Sequence, residues 1–170
     1  MTDNPISVLA RGWLGTPYSH QASMRGAACD CLGLVRGVWR ERFGVEPEAL
    51  PAYSRDWAEA GLEETLAKAG RRHLIEIEPM LFDEGDVLLF RWRPHLPAKH
   101  CGIATSRASM IHAQEGAAVS EVALSKWWLS PPRPNLDCLG RRLPGGTGHG
   151  STPQSQTHGE PRYRKRRMRR

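Results

Sequence analysis

A cysteine at the threshold of a helix constrains this chain most. In Ala27-Ala28-Cys29-Asp30-Cys31-Leu32-Gly33-Leu34-Val35, helical spacing begins at about Cys31 and runs to about Phe43. Leu34, Val35, Val38 and Trp39 make its apolar stripe, and Gly44 ends it. Cys31 therefore falls in the first turn. The N–H groups there carry partial positive charge. That charge favours thiolate over thiol, and the thiolate is the nucleophile.

The rest of the chain reads as helices first and strands later. Asn4-Pro5 is a cap followed by proline at the first helical position. Ile6, Leu9 and Trp13 share a face of that helix, which stops near residues 12–15. Residues 16–28 read as a loop. Asp56 and Glu59 form a capping box for a third helix over 56–69. His73–Glu78 alternates as an edge-like strand, and Asp83-Glu84-Gly85-Asp86 reads as a turn. Val87–Phe90 is a continuous apolar run, expected of a central strand. Strands over 100–105, 109–114 and 117–124 complete a meander. The predicted class is α+β: N-terminal helices packed on a small antiparallel sheet, with the thiol at a helix N-terminus.

Composition sets outer limits. The chain has 170 residues, 39% of them hydrophobic, and a mean hydropathy of −0.52, enough for one domain with a core. No apolar run approaches the ~20 residues of a membrane span, and the first residues show no secretory signal. The net charge of +6 is concentrated at one end, because residues 161–170 hold seven Lys and Arg and no acid. Taking those seven away leaves 17 basic against 18 acidic residues. Such a run is ordinarily solvated, so contact with nucleic acid is not the expected role. From Pro131 the texture turns to Pro, Gly, Ser, Thr and Gln. A domain over 1–130 is therefore expected, with a disordered tail over 131–170. The abrupt change near residue 130 points to a divergent tail or a shifted reading frame.

Two histidines lie on neighbouring predicted strands, in Lys99-His100-Cys101-Gly102 and Met110-Ile111-His112-Ala113. Side chains alternate faces along a strand, so the pair meets only if the numbers of directly opposed residues sum to an even value. A sum of 212, with a three-residue loop Thr105-Ser106-Arg107, sets His100 directly opposite His112. Cys101 then packs inward opposite Ile111. A cysteine on a helix facing a histidine on a sheet is the layout of a thiol hydrolase. Cys31 is the expected nucleophile, His100 its base and His112 the group that orients His100. Tyr18 is a candidate oxyanion donor or substrate contact. Asp30 either caps the helix or binds a substrate amine. Taken singly, Cys31 reads as a core thiol and His112 as a structural histidine. Cys29 precedes the helix and gains less from its dipole. The four cysteines (29, 31, 101 and 138) are expected to be reduced. Cys-x-Cys falls short of the two-residue gap common in zinc sites, so neither a metal nor another cofactor is expected. Trp127-Trp128 reads as core or as a partner surface.

Five motifs occur in order: Gly15-Thr16-Pro17-Tyr18, Asp30-Cys31-Leu32-Gly33-Leu34-Val35, Gly85-Asp86-Val87-Leu88-Leu89-Phe90, His100-Cys101-Gly102-Ile103 and Ile111-His112-Ala113. Together they resemble the NlpC-type cell-wall peptidases, a papain-like group, over roughly residues 8–129. The wording around Cys31, and Pro51-Ala52-Tyr53-Ser54-Arg55-Asp56-Trp57, resembles the branch encoded with phage tails and gene transfer agents. The resemblance implies Cys31, His100 and His112 as the catalytic group and a peptide bond of the murein stem as substrate. It also implies tail-tip or baseplate proteins as partners, and action in the periplasm of a target cell. Two departures stand out. Leu32 replaces a serine common in the group, and the chain turns to Pro131-Pro132 where another strand is usual. The second departure makes a structural adaptor with a vestigial site an alternative. A murein amidase or acyltransferase on the same fold is another.

Overall fold

The computed structural model describes residues 4–54, 63–78, 81–93, 95–125 and 140–142. Helix α1 spans Pro5–Arg11, with the Asn4 side chain accepting the Ile6 N–H at 2.9 Å. A two-stranded hairpin, β1 (Ser23–Met24) and β2 (Ala28–Cys29), interrupts the segment expected to be loop. Helix α2 follows at once, Cys31–Phe43, with Asp30 as its N-cap and Gly44 as its C-cap. Helix α3 is Thr65–His73. Strands β3 (Ile75–Ile77), β4 (Val87–Phe90), β5 (His100–Ser106), β6 (Ser109–His112), β7 (Ser120–Ala123) and β8 (Gly140–Arg142) form one antiparallel sheet, in the order β3-β8-β4-β5-β6-β7.

The sheet is apolar on both faces, which is why Val87–Phe90 carries no polar alternation. Val87, Leu89, Cys101, Ile103 and Ile111 pack with Leu34 and Val38 of α2 and with Ile6, Ala10 and Trp13. Leu88, Phe90, Ala104 and Met110 pack on the other side with Phe82 and Leu124. The helices lie close to one another because α2 has no side chain at Gly37. A Cβ there would come within 2.0 Å of the Trp13 ring.

Three expectations are corrected. Of the helix expected over 56–69, the described residues 63 and 64 are not helical, and a helix runs over Thr65–His73. Its cap position is Glu64, which makes no side-chain cap bond. The Glu64 carboxylate is drawn away by the Arg91 guanidinium at 2.7 Å and the Ala98 N–H at 3.2 Å. Asp56 and Glu59 lie outside the described residues. The β5–β6 register sum is 214, from Ile103 opposite Ile111 and Ala104 opposite Met110, not 212. The expected three-residue loop is a tighter turn with a bulge: Ser106 pairs with Ser109 after a register shift. Hydroxyl contacts hold it, Ser106 to Ser109 at 2.8 Å and the Ala108 N–H to Ser106 Oγ at 3.0 Å. Finally, Gly140–Arg142 lies in the sheet between β3 and β4, opposite Ile75–Ile77 on one side. A strand therefore occurs within the segment expected to be disordered. The rest of 131–170, with Trp127-Trp128 and Cys138, lies outside the described residues.

Candidate active site

Asp30 builds the helix start. Its Oδ1 accepts the Gly33 N–H at 2.7 Å, which satisfies one of the orphan donors of the first turn. Its Oδ2 accepts the Gln21 N–H at 2.7 Å and the Tyr53 hydroxyl at 2.6 Å. The turn carrying Gln21 reaches Asp30 only because residue 33 is glycine. A Cβ at Gly33 would lie 1.9 Å from the Ala22 carbonyl oxygen. Ser23 fastens the same turn to the helix through a 2.6 Å bond from its hydroxyl to the Gly33 carbonyl. Arg40 grips it further through the Ser23 carbonyl oxygen and hydroxyl while pairing with Glu46.

Cys31, the first residue of α2, is partly exposed. Cys101 and His100 are the neighbours that act on its thiol. The Cys31 thiol is held well below its usual value, chiefly by the Cys101 hydrogen bond. Burial opposes the shift, and the charge and hydrogen bond of His100 assist it. The same contact pushes the Cys101 thiol up, with burial adding to it. Burial also pushes the Cys29 thiol up to about 12. The Asp30 charge therefore does not spoil the thiolate: three donors already hold it, and it acts instead on Cys29, Cys101 and Tyr53.

His100 begins β5 and His112 ends β6. The register of 214 keeps both on one sheet face, since the sum is even, but places them diagonally. Gly102 occupies the position facing His112, where an added Cβ would sit 3.3 Å from the His112 Cβ. With no side chain there, the His112 ring leans across. His100 Nε2 and His112 Nδ1 lie 2.9 Å apart, with the rings edge to face at 5.1 Å. His112 is 3% exposed, and burial lowers its pKa to about 4, aided by the neighbouring His100. The Trp92 ring stacks on His100 at 5.9 Å and 27°.

These groups line a cleft of about 290 Å³ with Tyr18, His20, Asp30, Tyr53, Trp92 and Glu115 among its walls. The structure thus brings Tyr18, Asp30, Cys31 and His100 to one cleft, with His112 behind His100. Sequence reasoning assigned no role to Tyr53, His20 or Trp92. Tyr53 held the one available signal, a tyrosine in a distinctive run. The Tyr53 carbonyl oxygen accepts from His20 Nε2 at 2.8 Å and from the Gln21 side-chain amide at 2.7 Å. Among the described residues no group of three or more His, Cys, Asp or Glu is arranged to hold a metal ion. No described helix is long and apolar enough to cross a membrane.

A thiol on a helix tip, packed against an antiparallel sheet that presents an imidazole, defines the papain-like class of fold. The sequence model of the NlpC/P60 family matches residues 15–131, and the chain belongs to that family. Solved structures agree on the fold. The chain is similar to an NLP/P60-family protein similar to lipoprotein from Staphylococcus aureus subsp. aureus Mu50, with a TM-score of 0.53 and 20% identity. That likeness covers 81% of this chain and 40% of that one. It is similar to the NlpC/p60 domain of the peptidoglycan hydrolase SagA, with a TM-score of 0.50 and 22% identity over 73% of this chain and 90% of that one. It also resembles NlpC1 from Trichomonas vaginalis, with a TM-score of 0.51 and 20% identity over 81% and 42% of the two chains. The chain thus spans about two fifths of the length of the Staphylococcus and Trichomonas proteins. No curated protein matches it in sequence.

Proposed function

We propose that this protein is a cysteine peptidase that hydrolyses a peptide bond in the stem of peptidoglycan. The observation that carries the reading is that Cys31 and His100 share one cleft, with His112 2.9 Å from His100 behind it. Family membership and the likeness to the peptidoglycan hydrolase SagA suggest the substrate class.

In this reading the Cys31 thiolate attacks the carbonyl carbon, and His100 holds the proton taken from the thiol and returns it to the leaving amine. As an imidazolium, His100 donates from both nitrogens, so His112 must accept at Nδ1. The burial that keeps His112 neutral keeps that lone pair available. His112 thereby fixes the ring and tautomer of His100, the orienting role of a third group. The Cys31 N–H and a second donor, with Tyr18 the candidate, would hold the oxyanion. A carboxylate offers about four lone-pair sites. Three donors already bind Asp30, and the fourth can accept a substrate ammonium. Water then releases the acyl-enzyme.

The setting we propose is a phage-like tail tip, with tail-tip or baseplate proteins as partners. There the enzyme opens the wall from the periplasm of the target cell for DNA delivery. The support is the sequence resemblance around Cys31 and Tyr53. The adaptor alternative loses part of its motive, because β8 supplies a strand after residue 130. Purified murein incubated with the wild-type protein and with Cys31→Ala tests the activity. Mass spectrometry should find stem peptides cut between amino acids in the wild-type digest alone. Equal release by both proteins would overturn the reading, and release of whole stems from the glycan would make the enzyme an amidase.

A further inference from the structure

Two thiols meet inside this site, and hydrolysis needs only one. Cys31 opens α2 and Cys101 is the second residue of β5, on the sheet face that packs against α2. Both side chains pack into the same core between helix and sheet, and each thiol shifts the ionisation of the other. Their exposure is unequal: Cys31 is partly open to the cleft, whereas Cys101 is 1% exposed. A reagent arriving from solvent reaches Cys31 and leaves Cys101 intact behind it. An accessible thiolate next to a second cysteine is the arrangement in which a first oxidation is captured as a disulfide. A disulfide needs sulfurs about 2.05 Å apart. Two cysteine side chains packed into one core can close that gap by side-chain rotation.

We infer that Cys31 and Cys101 form a reversible disulfide when a hydroperoxide enters the cleft, so that the sulfur proposed as nucleophile is stored rather than destroyed. The inference rests on the reading of Cys31 as that nucleophile. In the first step the Cys31 thiolate attacks the terminal peroxide oxygen. The O–O bond breaks, the alkoxide or hydroxide leaves and takes up a proton, and Cys31 becomes a sulfenic acid. In the second step the Cys101 sulfur attacks the Cys31 sulfur. Its proton leaves with the displaced hydroxide as water. Two thiols are oxidised to one disulfide, and one hydroperoxide is reduced to an alcohol, or to water for hydrogen peroxide, plus one water. His100, Asp30, Tyr53 and Lys99 line the cleft with Cys31, and none of them is consumed. Cys29 is a poor substitute for either sulfur, since it is fully buried in β2 and its thiol keeps its proton.

The test uses the full-length protein and hydrogen peroxide. After brief exposure, free thiols are alkylated, and the chain is digested and mapped by mass spectrometry without reduction. The wild type should yield one cross-linked peptide joining Cys31 to Cys101, and dithiothreitol should return both residues to the alkylated pool. Cys101→Ser and Cys101→Ala should give no cross-link and should accumulate Cys31 as sulfinic acid that dithiothreitol does not recover. Cys29→Ala should cross-link as the wild type does. A wild-type chain whose Cys31 passes to sulfinic acid without the Cys31–Cys101 peptide, or links to Cys29 or Cys138, would overturn the inference. The wild-type map decides the matter even if every variant fails to fold. The readout is independent of hydrolysis, so a chain that cross-links but leaves murein intact contradicts the proposed activity alone.

Discussion

A carboxylate beside a thiol ordinarily disfavours the thiolate, and Asp30 shows how one residue escapes that conflict. Its charge is spent on the Gly33 N–H, the Gln21 N–H and the Tyr53 hydroxyl. It therefore both starts α2 and ties the preceding turn and the segment around Tyr53 to the cleft. Tyr53→Phe removes one donor from a buried carboxylate and should cost about 1.5–3 kcal/mol, the range for hydrogen bonds to charged groups. Denaturant unfolding of the variant measures it, and an unchanged midpoint would contradict the role given to this hydroxyl. At this scale the sequence was informative about the helix start that carries the proposed nucleophile and nearly silent about its supports. Cys31 and its cap are contiguous, so local rules found them. Tyr53 lies 23 residues from Asp30, and no periodicity links them.

Elements set the geometry of the two histidines through register. The even sum could be anticipated, because parity alone decides which face a residue occupies. The value of the sum could not. It depends on a turn pinned by the Ser106 and Ser109 hydroxyls, whereas a plain loop count gives 212. The consequence is that Gly102, rather than His100, faces His112, and that empty position lets the rings meet. In Gly102→Ala the new Cβ would lie 2.9 Å from Met110 Sδ and 3.0 Å from the Ile111 carbonyl oxygen. The sulfur can move, but the strand carbonyl cannot move without loss of pairing. A stability loss of about 1–3 kcal/mol is expected from overpacking, together with a fall in kcat as His112 is pushed off His100. A fall in KM alone, with kcat unchanged, would contradict the diagonal contact. Helix α2 was the most legible element because both of its caps are local: Asp30 with Gly33 at the start and Gly44 at the end. Strand β8 was the least legible, since three residues in a Pro- and Gly-rich stretch carry no alternation to detect. Its place in the sheet depends on β3 and β4, both more than 45 residues away in the chain.

For the molecule as a whole, the buried neutral imidazole links the site to stability. Below pH 6.5 the unfolded chain binds a proton at His112 that the folded chain takes up only near pH 4. Folding stability contributed by this group is therefore complete above pH 6.5 and is lost as pH falls towards 4. The full loss is about 3 kcal/mol, from a shift of about 2.5 units at about 1.36 kcal/mol each. His112→Gln, which cannot titrate, should remove this slope from a series of denaturant curves between those pH values. Identical slopes in variant and wild type would mean that His112 is charged in the fold. The α+β class and the order of helices before sheet were readable from periodicity, because each element shows one apolar stripe or run. The cleft was not, since its walls come from six separate stretches of chain.

The central claim is that a thiolate exists at the tip of α2 and that His100 helps to sustain it. The most direct measurement is the rate of Cys31 alkylation by iodoacetamide as a function of pH, followed by peptide mapping in the wild type and in His100→Ala. The wild type should label at Cys31 well before Cys29 and Cys101, with a midpoint far below the ~8.5 of a free thiol, and the variant's midpoint should move upward. A Cys31 profile that sits at the free-thiol value and ignores the loss of His100 would contradict the account.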